Sequence, residues 1–208
     1  MKRTIAILLI LISVTSLFAS FNTLSVQYEY FLEDWYFGDG KKYRTEEEVN
    51  LVGASFSHYH IKDEKNHGWN ARATVYAPIG GYHEIFDTKN NDYSVESCDL
   101  KIHTLPLGME LAAGPTFRMR NFYLSIDPTV SVDTWNYGFP TFSFNVGFDI
   151  EGAAIINLTD RISMLAGARV EYDFARYMVG WVNSELSNGW IEDYNRFGLI
   201  PFIGVSIK

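Results

Sequence analysis

From Phe142 the chain alternates apolar and polar residues: Phe142, Phe144, Val146, Phe148 and Ile150 against Ser143, Asn145, Gly147, Asp149 and Glu151. Successive side chains of a strand point to opposite faces, so the stretch predicts one apolar wall backed by a hydrophilic, charged one. Seven further segments carry the pattern. The first, 21–32, sets Leu24, Val26, Tyr28 and Tyr30 against Ser25, Gln27 and Glu29. The second, 48–61, is the weakest, with Val52, Ala54 and Phe56 against Gly53, Ser55 and Ser57. The third, 68–79, opposes Trp69, Ala71, Ala73 and Val75 to Asn70, Arg72, Thr74 and Tyr76. The fourth starts with Leu100 and Ile102, then changes phase to Leu105, Leu107, Met109 and Leu111. That slip predicts a bulge near His103 and leaves Glu110 on the polar side. The fifth carries Asp127 and Asp133 on its polar face, the seventh Arg169, Glu171 and Asp173, and the eighth opens at Arg196 before its apolar face, Phe197 to Ile207.

Connections between these segments alternate in length. Short ones fall at 62–67, 118–121 and 158–161, longer ones at 33–47, 80–97, 134–141 and 175–192. Eight strands with tight turns on one side and long loops on the other predict an all-β fold, an eight-stranded antiparallel up-and-down transmembrane β-barrel. Trp35, Trp135, Trp181 and Trp190 fall at the long-loop ends and Trp69 at the short-turn end. These are the expected interfacial aromatics of two girdles.

The N-terminus adds an address. Met1-Lys2-Arg3 precedes an apolar run, Ile5 to Phe18, with a small residue at Ala19. This is the layout of a cleaved secretory signal, predicting a signal peptide over 1–19 and a barrel over 20–208. The run is shorter than the ~20 apolar residues of a spanning helix. Loss of Lys2 and Arg3 takes the formal charge from −8 to −10, which argues against nucleic acid as a partner. Cys98, the one cysteine, falls in a polar loop and excludes an intramolecular disulfide.

Alternation alone fits a soluble, lipocalin-like ligand-binding barrel equally well, with the faces reversed. Bulky apolar faces free of charge over five or six positions, and the sided loop lengths, favour the membrane. Leu105-Pro-Leu-Gly-Met-Glu-Leu and the stretch from Gly152 to Phe174, with its Asn157-Leu-Thr-Asp-Arg-Ile-Ser, resemble the outer-membrane β-barrel superfamily. That group includes the OmpA membrane domain, OmpX and the opacity-type surface proteins. The resemblance implies a cell outer-membrane location, outer-membrane lipid and the barrel-assembly machinery as partners, and host or cell-surface ligands at the external loops. Members usually end in an aromatic residue; this chain reads Val205-Ser206-Ile207-Lys208.

Eight strands enclose a lumen just wide enough for side chains. The expected lumen network is Glu29, Arg72, Glu110, Asp127, Asp149, Glu151, Arg169, Glu171 and Arg196. Buried charges require partners or water, so the arginines are expected to bridge the acids and occlude the tube. A narrow cation-preferring pore is the alternative use of the same residues. His58 and His60 share a strand face, a spacing that can bind metal, but no third ligand is evident and no metal site or cofactor is expected. An acyl-transfer enzyme would need Ser and His on one face. Adjacent Ser57 and His58 point apart, so no enzyme activity is expected. The expected function is an integral outer-membrane barrel with a structural or surface-interaction role.

Overall fold

The computed structural model describes residues 21–37, 43–61, 66–87, 92–99, 108–134, 141–182, 185–191 and 193–207. The segment 1–19, the phase change near His103 and Trp135 lie outside them. Ten strands follow in order: β1 Phe21–Phe37, β2 Tyr43–Ile61, β3 His67–Asp87, β4 Asp92–Asp99, β5 Gly108–Met119, β6 Phe122–Asp133, β7 Thr141–Asn157, β8 Ile162–Val182, β9 Glu185–Ile191 and β10 Asn195–Ile207.

Eight of them close a ring. Each of β1, β2, β3, β5, β6, β7 and β8 pairs antiparallel with the next, β8 pairs β10 through Leu199↔Val170, and β10 returns to β1 through Leu24↔Val205. The other two extend hairpins beyond the ring: β4 pairs the far end of β3, and β9 the far end of β8. This corrects three of the expected long loops. The strands run past the apolar alternation into 33–47, 80–97 and 175–192, and Cys98 falls in β4 rather than in a loop. The reason is physical: alternation is required only where one face meets apolar surroundings, whereas backbone pairing continues wherever two strands remain adjacent.

The short-turn end is fixed locally. Thr159 Oγ1 accepts hydrogen bonds from the Arg161 and Ile162 amides at 3.2 and 3.0 Å, closing the 158–161 turn. Between β5 and β6 a two-residue turn places Arg120 at φ 56°, the left-handed geometry of tight hairpins, followed by Asn121. Within the same strand pair the ladder is interrupted between Ala112↔Thr129 and Thr116↔Ser125, where Pro115 and Pro128 lack amide protons. Asn70 spans this gap from β3, accepting from the Gly114 amide at 3.1 Å and donating to Asp127 Oδ2 at 3.0 Å.

The faces are sorted opposite to those of a soluble barrel. Leu24, Leu111, Ile126, Phe148, Ile150 and Leu199 are exposed on the outside, while Arg169, Arg196, Glu29 and Glu171 are buried inside. The interior is not polar throughout, however. At the short-turn end Phe21, Tyr59, Tyr123, Ile155, Leu165 and Phe202 form a buried cluster, with Phe21 stacked on Tyr59 at 4.7 Å and edge-on to Tyr123 at 5.1 Å. A second cluster joins Phe31, Val49, Leu51, Tyr76 and Ile200. Inward Val49 and Leu51 explain why the second segment patterns so weakly: there the apolar residues face the lumen, while Glu48 and Asn50 hold the outward positions.

Candidate functional site

The interior is the chemically distinctive region. Among the described residues it buries ten carboxylates (Glu29, Glu33, Glu47, Glu110, Asp127, Asp133, Asp149, Glu151, Glu171, Asp173) against four arginines, Arg72, Arg169, Arg176 and Arg196. Their distribution around the ring is uneven. Strands β10, β1, β2 and β3 supply the second apolar cluster, while β5 to β8 carry seven of the acids. Arg72 and Arg196 reach across from the first half to the second.

Arg72, on β3, crosses to β7. Its Nη1 donates to Glu151 Oε2 at 3.0 Å, its Nη2 to Glu110 Oε1 at 3.0 Å and to Asp149 Oδ2, and Asp127 Oδ2 stands 3.6 Å from Nη1. Arg169, on β8, lies 3.7–3.8 Å from Glu110, Asp149 and Glu151, an ionic contact longer than a hydrogen bond. Tyr59 Oη donates to Glu151 Oε1 at 2.5 Å from the other side of the tube. Nearer the long hairpins, Arg196 donates to Glu171 at 2.9 Å and Ser131 at 3.2 Å, pairs with Asp173 at 2.6 Å and Asp133 at 3.3 Å, and lies 4.2 Å over the Phe31 ring. Tyr76 Oη donates to Asp133 at 2.8 Å, and Arg176 donates to Glu33 and Ser143.

Two glycines allow these large groups to lie across the tube. A Cβ on Gly198 would meet the Phe31 ring at 2.2 Å, and one on Gly108 the Tyr76 ring at 1.9 Å. Both rings therefore lie flat over backbone that carries no side chain.

All nine residues of the expected lumen network are buried on the inward face, and Arg72 gathers Glu110, Asp127, Asp149 and Glu151 around one guanidinium. Asp133 and Asp173, on polar strand faces in the sequence, belong to the same interior, and so do Glu33, Glu47 and Arg176, which fall in the expected loops 33–47 and 175–192. Glu33 simply continues the 27, 29, 31 alternation. Arg176 was out of reach of a strict period, because the β7–β8 register shifts between Val146 and Gly147, where Ala175 and Asp173 are the successive partners. The extra residue, Phe174, turns Arg176 rather than Ala175 inward.

The remaining expected residues lie elsewhere. Trp69 is exposed between the His58 and His60 rings at 5.2 and 5.7 Å, so the two histidines share a face against an aromatic ring. Trp35 is half-buried on β1, Trp190 is exposed on β9 against Tyr177 at 5.4 Å, and Trp181 lies in β8. Ser57 is buried on the lumen face, with His58 beside Asn22 on the other face.

A ring whose outer surface is apolar and whose charges are inside cannot be stable in water, and it fits a bilayer directly. It is a membrane-spanning β-barrel. The soluble, ligand-binding alternative is excluded by the direction of the faces. No family model matches the chain, and no curated protein matches it in sequence. Its fold resembles solved small outer-membrane barrels. Neisserial surface protein A matches at 12% identity over 90% of this chain and 96% of that one, TM-score 0.47. Outer membrane protein OprG from Pseudomonas aeruginosa matches at 8% identity over 91% and 96%, TM-score 0.49. A major outer membrane protein from Thermus thermophilus matches at 11% identity over 89% and 98%, TM-score 0.41. At these identities the likeness says nothing of ligand or activity.

Proposed function

We propose that this barrel is a structural or surface-interaction protein whose lumen is occluded, and that it does not act as an open channel or an enzyme. The observation that carries the reading is the set of bonds crossing the tube: Arg72 from β3 to β7, Tyr76 from β3 to β6, and Arg196 from β10 to β6, above an aromatic cluster at the short-turn end. Each such bond spans the space that a permeant ion would need. Export by a cleaved 1–19 signal, insertion by the assembly machinery, short turns facing the periplasm and extended hairpins facing outward complete the reading. The hairpins β3–β4 and β8–β9 then offer backbone-paired surface beyond the bilayer for a cell-surface ligand.

A narrow cation-preferring pore is the second reading, favoured by ten buried acids facing four arginines among the described residues. Planar-bilayer recording of the refolded chain separates the two. Absence of unitary steps supports occlusion. Steps with cation selectivity that change in Arg72→Gln would overturn it in favour of the pore.

A further inference from the structure

We propose that the barrel interior holds one divalent cation of the hard, oxygen-binding class, between Glu110 of β5, Asp149 of β7 and Glu171 of β8. One oxygen from each of these three buried carboxylates lies within 4.8 Å of the other two. Two oxygens on one calcium ion, each at 2.3–2.6 Å, stand no more than about 5 Å apart, so the three groups have the reach of a shared ion.

The two oxygens of each carboxylate have different surroundings. Glu110 Oε1 accepts from Arg72, Glu171 Oε1 from Arg196, and Asp149 Oδ2 from Arg72. The other oxygens, Glu110 Oε2, Glu171 Oε2 and Asp149 Oδ1, are buried without an N–H or hydroxyl donor, and the Glu110 and Glu171 carboxyls lie against each other. An arginine on one oxygen orients the group and leaves the second free to bind metal, as outer hydrogen bonds do for metal ligands generally.

A separate observation comes from β1. Glu29 is fully buried, its Oε1 accepts from Gln27, and its Oε2 has no hydrogen-bond partner. Glu110, Arg169 and Arg196 are the charged groups that act on it, which places it in the same stretch of the lumen on the facing wall. Buried carboxylate oxygens without partners are costly, and such a group calls for a water, an ion or a proton. The arginines do not suffice: Arg169 stands 3.8 Å from Glu110 and Asp149, beyond hydrogen-bond reach, Asp127 and Glu151 also share Arg72, and Asp133 and Asp173 share Arg196. A divalent ion supplies two positive charges where three acids converge. Its position near the middle of an occluded tube predicts loading during folding and slow exchange afterwards.

The inference rests on the occluded-lumen reading, but the two fail separately, since conductance tests one and metal content the other. The full chain is refolded in dodecyl maltoside, free of lipid phosphate, with calcium or with EDTA. Folded protein is isolated by its heat-modifiable mobility, desalted over chelating resin and assayed for metal. The expected result is about one calcium per folded chain and a higher unfolding midpoint with calcium than with EDTA. Glu171→Gln should weaken calcium binding at least about tenfold and remove the midpoint difference. Glu84→Gln, on the β3–β4 hairpin, should change neither. If Glu171→Gln does not fold, Asp149→Asn takes its place, and the wild-type metal content decides the matter regardless. Wild-type protein without stoichiometric calcium, and with equal midpoints in calcium and EDTA at pH 7, would overturn the proposal and assign the charge balance to protons.

Discussion

Removing Arg72 should cost far more than removing any arginine at the rim. The guanidinium donates to Glu110, Asp149 and Glu151 and sits 3.6 Å from Asp127, with all five side chains buried. Arg72→Ala leaves four carboxylates in a low-dielectric tube with Arg169 as the remaining arginine, already at 3.7–3.8 Å from three of them. Breaking a buried ion pair by deleting one partner costs about 3–5 kcal/mol, because the surviving charge is left uncompensated. Arg44 supplies the control. It donates to Asp34 at 2.8 and 3.0 Å and pairs with Glu46 at 2.9 Å, a geometry as good as that of Arg72, but with 39% of its side chain exposed. Solvent-exposed pairs contribute about 0–1 kcal/mol. Urea titration of the refolded chain in lipid vesicles, followed by tryptophan fluorescence, reads the difference. With a slope of about 2 kcal/mol/M, Arg72→Ala should lower the midpoint by about 1.5–2.5 M and Arg44→Ala by less than about 0.5 M. Acidification should narrow the gap, since protonated carboxyls no longer require a counter-charge. Equal losses for the two variants would refute the reasoning, because burial would then not govern the worth of these pairs.

Other perturbations report on other parts of the structure. Ile126→Arg, near the middle of β6 on the outer face, should destabilise the folded barrel by about 2–4 kcal/mol in vesicles, whereas Met119→Arg beside the short turn should cost about 0–1. Equal effects in a vesicle-refolding titration would mean that the outer face does not sense bilayer depth. Gly198→Ala should cost about 1–3 kcal/mol by driving a Cβ into the Phe31 ring, and Phe31→Leu in the same chain should recover part of it. Additive losses in the double mutant would place the clash elsewhere. Asn70→Ala should cost about 1–3 kcal/mol and accelerate hydrogen exchange at the Gly114 amide, which loses its acceptor; an unchanged exchange rate would show that this amide is protected by another group.

How far the interior could be read from the chain depends on which force wrote each position. Lipid imposes alternation on the outer face without exception across the span, so Leu24, Val26, Leu111, Ile126, Phe148 and Ile150 mark their strands plainly, and the polar residues between them indicate the lumen. The lumen imposes no such uniformity. It has to be filled, and Val49, Leu51, Phe31 and Ile200 fill it as well as charges do, which blurs β2 in particular. Beyond the bilayer neither constraint operates, and the hairpin strands β4 and β9 follow from backbone pairing that no side-chain period records. Single-residue register shifts are the remaining gap: the extra Phe174 inverts the phase and turns Arg176 toward Glu33, a pairing between residues far apart along the chain. The alternation sets six acids against three arginines in the expected lumen network, but does not say how they converge. Glu110, Asp149 and Glu171 stand in three different strands, and what unites them is the stagger of the closed ring: Asp149 pairs directly with Glu171, whereas Glu110 reaches the same point from β5, two strands away from Asp149. The strand registers thus create the site, and a one-residue slip of β5 against β6 would turn Glu110 to the lipid and abolish it.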